Sequence, residues 1–90
     1  MISNQTFQEH DFSKQDLQES TFENCHFYHC DFSHADLRDA TFINCKFIES
    51  GDSLGCQFKY ADLRDASFKS CKLGMANFLG ANGFGAEFRE

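Results

Sequence analysis

Cys25-His26-Phe27-Tyr28-His29-Cys30 places two thiols and two imidazoles within six residues. By residue type this is a zinc set, because thiolate and neutral imidazole are the ligands of tetrahedral zinc. His10, His26, His29 and His34 are possible general bases. None has a Ser or Cys partner in a nucleophilic arrangement. Gly83-Phe84-Gly85 is too short for a phosphate-cradling loop and has no lysine after it. Carboxylates are plentiful: 14 Asp and Glu stand against 8 Lys and Arg, for a formal charge of −6. Paired carboxylates catalyse only where a cleft excludes water. Whether any of these groups converge depends on the elements that carry them.

Length and composition bound those elements. Ninety residues make one domain, 1–90. No run of 18 apolar residues exists, so no helical membrane span is expected. Met1–His10 lacks the basic start and apolar core of a secretion signal, which points to the cytoplasm. The acidic balance opposes direct nucleic-acid binding, which needs Lys and Arg against phosphates. Five cysteines, an odd number in an intracellular context, are expected to stay reduced. An apolar fraction of 41% with 12 Phe excludes a disordered chain.

The decisive pattern is a period of five. Large apolar residues fall at Phe7, Phe12, Leu17, Phe22, Phe27, Phe32, Leu37, Phe42 and Phe47, and again at Phe58, Leu63, Phe68, Leu73, Phe78 and Phe88. From Phe22 on, a small residue stands two places before each, and Ala81 keeps the register before Gly83, so every Ala and Cys of the chain falls there; only the first three repeats depart, with Gln5, His10 and Gln15. A polar residue, often Asp or Thr, lies between. A helix would scatter this series around its axis, at about 100° per residue. A long strand would send successive Phe to opposite faces. A short extended piece followed by a bend satisfies it. The small and large residues then point in, the polar one points out, and two residues turn the corner. Repeated bends coil the chain into a stacked spiral whose backbone groups pair between coils. The period alone leaves three or four walls open. In this register Cys25 and Cys30 point inward while His26 points outward, so the four zinc-type ligands diverge and no metal or cofactor is expected. A convex rod offers no catalytic cleft, so no enzyme is expected either.

Ala35-Asp36-Leu37-Arg38-Asp39, Ala61-Asp62-Leu63-Arg64-Asp65 and Ala76-Asn77-Phe78-Leu79-Gly80 resemble the pentapeptide repeat family over nearly the whole chain. The resemblance implies an all-β, right-handed quadrilateral β-helix of about four coils. On that reading Phe7, Phe27, Phe47, Phe68 and Phe88 stack on one wall as the structural core. Residues 1–4 form an N-terminal tail, and 48–56 form a loop inserted between coils.

From Phe47 to Phe58 is eleven residues, and Glu49, Ser50, Gly51, Asp52, Ser53, Leu54 and Gly55 have loop composition. Rigid scaffolds commonly carry function on loops, so these seven are the candidate partner-binding residues. Phe47-Ile48-Glu49-Ser50-Gly51, then Gly55-Cys56, then Tyr60 through Lys69 are similar to the Qnr quinolone-resistance proteins within that family. The resemblance implies binding to DNA gyrase and topoisomerase IV, which shields them from quinolones. Qnr chains are more than twice as long, so a truncated or engineered fragment or a short relative with reduced protection is expected. The acidic surface Asp11, Asp16, Asp31, Asp36, Asp39, Asp62 and Asp65 would imitate the charge of a DNA duplex in a basic groove. The alternative is a structural or protein-interaction rod with no topoisomerase target. The open final coil, near 78–90, exposes strand edges and predicts an end-to-end homodimer.

Overall fold

The computed structural model describes residues 1–89. Glu90, the last residue of the segment expected to mediate dimers, lies outside them. Seven short strands and the turns between them build the chain, with no helix among the described residues. They are β1 (Ile2–Ser3), β2 (Thr6–Gln8), β3 (Thr21–Glu23), β4 (His26–Tyr28), β5 (Thr41–Ile43), β6 (Ser67–Lys69) and β7 (Glu87–Arg89). All pairing is parallel: β1-β3-β5-β6-β7 form one sheet, and β2 pairs with β4. Single-residue bridges extend three more ladders, His26–Lys46–Lys72, Asp11–Asp31–Gln57–Asn77 and Asp16–Asp36–Asp62–Asn82. The result is a four-walled β-solenoid of about four turns.

The bend has a specific cause. The second residue after the large apolar one takes a positive φ of 52–61°, from Asn4, Glu9 and Lys14 through Met75, except after Phe47, where the inserted loop leaves. Gly80 and Gly85 continue the series. Left-handed backbone at that position is the signature of a type II turn. The turn closes where Ala35 N–H donates to the Phe32 carbonyl at 3.0 Å and Ala40 N–H to Leu37 at 3.1 Å. Thr, Asp and Asn one residue before the large side chain face outward, as the period requires.

The interior is a set of stacked rings. Phe12–Phe32–Phe58–Phe78 run down one wall with centroids 4.8–5.0 Å apart and planes 2–11° from parallel. Phe22–Phe42–Phe68–Phe88 run down another, at 4.9–5.1 Å. Offset stacking of this kind adds about 0.5–1.5 kcal/mol per pair beyond area burial. Leu17, Leu37 and Leu63 line the fourth wall, and Gly83 takes its last place beside Asn82.

Three expectations need correction. Phe7, Phe27 and Phe47 do share a wall, at 5.2 and 4.9 Å. Phe68 and Phe88 stand on a different wall, stacked beneath Phe42. Leu73 follows Phe47, because Lys46 bridges Lys72. The inserted segment therefore consumes no wall. It leaves within the third coil, at the corner between the β2–β4 wall and the Asp31–Gln57 wall, rather than between coils. Counting it as two repeats shifts every later residue by one wall. Residues 1–4 are also more than a tail: β1 pairs with β3, and Asn4 N–H donates to Glu23 O at 3.0 Å.

Candidate functional site

Backbone accounting explains why Asp and Cys stand where they do. On two of the walls the outward Asp or Asn accepts the N–H two residues ahead. Asp11 Oδ1 takes Ser13 N–H at 2.8 Å, Asp31 takes Ser33 at 2.8 Å, and Asn77 takes Leu79 at 2.9 Å. Asp16, Asp36, Asp62 and Asn82 do the same at 3.1–3.3 Å. Each is an Asx turn that prepares the next corner. The five cysteines sit at corners with no such closing bond from their own N–H. There the thiol donates to the carbonyl of the large residue one coil up: Cys30 to Phe7 at 3.4 Å, Cys45 to Phe22 at 3.4 Å, Cys56 to Phe27 at 3.1 Å and Cys71 to Phe42 at 3.3 Å. Cys25 likewise reaches Ile2 O at 3.6 Å. The thiols thus satisfy carbonyls that the turn elsewhere satisfies.

The zinc-type residues part company as their register predicts. Cys25 and Cys30 are buried in the core. His26 Nδ1 meets the Tyr28 hydroxyl at 3.0 Å, and His29 Nε2 lies 3.2 Å from Asp52. Burial pushes the Cys25 thiol up. The neighbouring thiols Cys71 and Cys30, together with burial, push Cys45 and Cys56 up. Among the described residues their hydrogen-bond partners are backbone carbonyls, and these thiols build the wall.

Two aspartates of the expected acidic surface are paired with arginine. Asp11 lies over Asp31, and Asp16 over Asp36 and Asp62. Arg38 grips Asp36 through two bonds of 2.9 and 2.7 Å, and Arg64 grips Asp62 through two of 2.9 and 2.6 Å. Those guanidinium contacts hold both carboxyls below their usual range. Ser13 does the same for Asp11. Asp39 and Asp65 occupy successive copies of one corner, each donating its N–H to the following coil. The carboxylates that remain without a guanidinium gather toward the N-terminal coils.

The loop is anchored at both ends. Asp52 N–H donates to Glu49 O at 3.0 Å, and Asp52 Oδ2 accepts Glu49 N–H at 3.2 Å. The same oxygen meets His29, tying the loop to the coil above. Gly55 donates to Met75 O at 3.2 Å, and a Cβ there would lie 2.5 Å from Gly74 O. Gly55 is therefore buried in the loop base. Glu49, Ser50, Gly51, Ser53 and Leu54 are exposed, and Asp52 is half-buried. Of the seven candidate loop residues, these six project and Gly55 positions them.

One feature escaped the sequence. Lys46 and Lys72 are neighbours in a ladder with His26, forming a basic strip on the wall beside the loop. Their separation of 26 residues conceals this until the insertion is known to occupy a corner.

A closed-wall solenoid with its chemistry on outward side chains and one protruding loop is a scaffold of repeats. The chain belongs to the pentapeptide repeat family: the family model for a pentapeptide repeat region matches residues 3–78. Among solved structures it is similar to full-length QnrB1, a plasmid-mediated fluoroquinolone resistance protein, at 37% identity and a TM-score of 0.91, covering 97% of this chain and 41% of that one. A trypsin-treated variant of QnrB1 matches at 36% identity and a TM-score of 0.92, covering 98% of this chain and 42% of that one. The chain thus spans about two fifths of QnrB1's length. No curated protein sequence matches it. No helix among the described residues is long and apolar enough to cross a membrane.

Proposed function

We propose that this chain is a Qnr-like, non-catalytic binding protein that docks on DNA gyrase and topoisomerase IV in the cytoplasm and shields them from quinolones. The observation that carries the reading is the likeness to QnrB1 over 97–98% of this chain at 36–37% identity. The physical support is a rigid rod with an anchored loop beside acidic walls, which suits a basic groove that otherwise receives duplex DNA. Docking is to protein, with no direct nucleic-acid contact. The test is a gyrase supercoiling assay with a fluoroquinolone, run with the intact chain and with Gly51–Leu54 deleted. Rescue by the intact chain and loss of rescue on deletion supports the reading. No rescue at micromolar protein rejects it. A second reading, a structural or protein-interaction rod without a topoisomerase target, is equally compatible with the family match over residues 3–78. That rod would bind its partner unaltered by the deletion.

A further inference from the structure

A cleft of about 520 Å³ opens between the loop and the wall that carries Lys46 and Lys72. Tyr28 and Ile48 give it an apolar flank, and Glu49 and Asp52 stand at its loop side. The lysines occupy paired positions on adjacent coils, joined by a parallel bridge, with His26 above them. Backbones at that spacing lie about 4.8 Å apart, and like charges directly opposite each other are unfavourable. Neither ammonium has a carboxylate within 4.0 Å among the described residues, although the molecule carries a net −6. Asp52 is already engaged, by His29 and by the Glu49 N–H. The arginines of the opposite face, by contrast, are each held by an aspartate. A like-charged pair left uncompensated on the lining of a cleft is a site for an anion.

We propose that this cleft receives the carboxylate of an acidic side chain from a protein partner, set between Lys46 and Lys72 with its alkyl stem on Ile48 and the Tyr28 ring. Two observations favour a carboxylate over a phosphate. The rim carboxylates Glu49 and Asp52 oppose negative charge, and a phosphate group brings about −1.5 to −2 where a carboxylate brings −1. The apolar flank has a use for an alkyl stem and none for a compact, hydrated oxyanion. The inference rests on the reading that the loop side meets a protein. It adds a basic contact to a surface otherwise read as acidic, and so fixes the orientation of docking: loop and lysines toward an acidic element, aspartate walls toward a basic one.

The test uses the isotope-labelled full chain in solution. It is titrated with a capped tripeptide bearing one central glutamate, with its glutamine counterpart, and with inorganic phosphate. The glutamate peptide is expected to move the Lys46, Gly51 and Lys72 amides saturably at millimolar concentration, with the glutamine peptide weaker by about fivefold or more. K46Q/K72Q, two exposed changes that leave the spectrum elsewhere intact, is expected to abolish saturation. Glutamine and glutamate peptides that bind alike, phosphate that binds more tightly than the glutamate peptide, or shifts without saturation at the cleft would each overturn the proposal. The titration contains no topoisomerase, so its failure and a failed supercoiling assay are separate results.

Discussion

At the scale of single residues, the repeat is a solution to hydrogen-bond accounting. Asp at the outward position matters first as an acceptor for the corner N–H, and only then as a charge. Asn77 and Asn82 fill the same role without charge. This separates two effects that Asp36 and Asp62 combine. Arginine contacts lower both carboxyl pKa values from the ordinary 3.8. A lowered folded-state value means stability that is present above the unfolded value and is lost as pH falls through the folded one. Both ion pairs are solvent-accessible, so their combined contribution is small. D36N/D62N is therefore expected to lower the urea midpoint slightly at pH 7 and to match the wild type near pH 2. An equal deficit at both pH values would mean that the turn, and not the charge, was damaged. Cysteine offers a second test. Cys45→Ala removes the donor to the Phe22 carbonyl and should cost about 1–3 kcal/mol in urea unfolding. Ala40→Gly, where the corner bond is backbone to backbone, leaves its carbonyl paired; if Cys45→Ala costs no more than Ala40→Gly, the thiol bonds contribute nothing.

At the scale of elements, the insertion is the place where reading and structure separated. The five-residue period, inward Phe, outward Asp and absence of helix among the described residues were all legible, because every repeat states them again. Wall assignment after Phe47 was not. Eleven residues can be read as two repeats and a bulge or as one corner loop, and only pairing between coils decides. Lys46 against Lys72 and Phe32 against Phe58 decide for the corner. The basic strip stayed hidden for the same reason. The corner assignment makes a sharp prediction. Removing Glu49–Leu54 joins Ile48 to Gly55 and leaves Phe47-Ile48-Gly55-Cys56-Gln57-Phe58, a regular five-residue step with Gly at the left-handed position. The loss is one exposed His29–Asp52 contact, worth about 0–1 kcal/mol. The deletion should therefore fold with an unfolding midpoint close to the parent's, and its amide spectrum should change only near the loop. Collapse of the fold would show that the segment supplies a wall after all. Truncation within the stacks gives a complementary measure. Phe47→Leu, at a fully buried residue, should cost about 1–3 kcal/mol, whereas Phe88→Leu, at a residue 55% exposed, should cost well under half of that.

At the scale of the whole molecule, the two ends of the rod are unlike its sides. Within the middle coils Phe22, Phe27, Phe32, Phe42, Phe47, Phe58 and Phe68 are almost completely buried. The last coil breaks that rule: Phe88 is 55% exposed, and Met75, Leu79 and Phe84 face outward where earlier coils carry polar residues. Leu79 and Phe84 make this outward face apolar, a surface for pairing. An isologous contact through this coil closes after two copies, whereas a head-to-tail contact would propagate into filaments. The N-terminal coil, with Glu9, Asp11, Asp16 and Glu19 against Lys14, is too acidic to meet its own copy, so the last coil is the surface that self-association should use. The expected result is a mass rising toward two chains with concentration in light scattering, at a limit that does not exceed the dimer. F84S/L79S, two exposed changes outside the stacked core, should shift that rise to higher concentration and leave the thermal midpoint unchanged. A constant one-chain mass across the concentration range defeats the contact, and masses that grow past two chains defeat its symmetry.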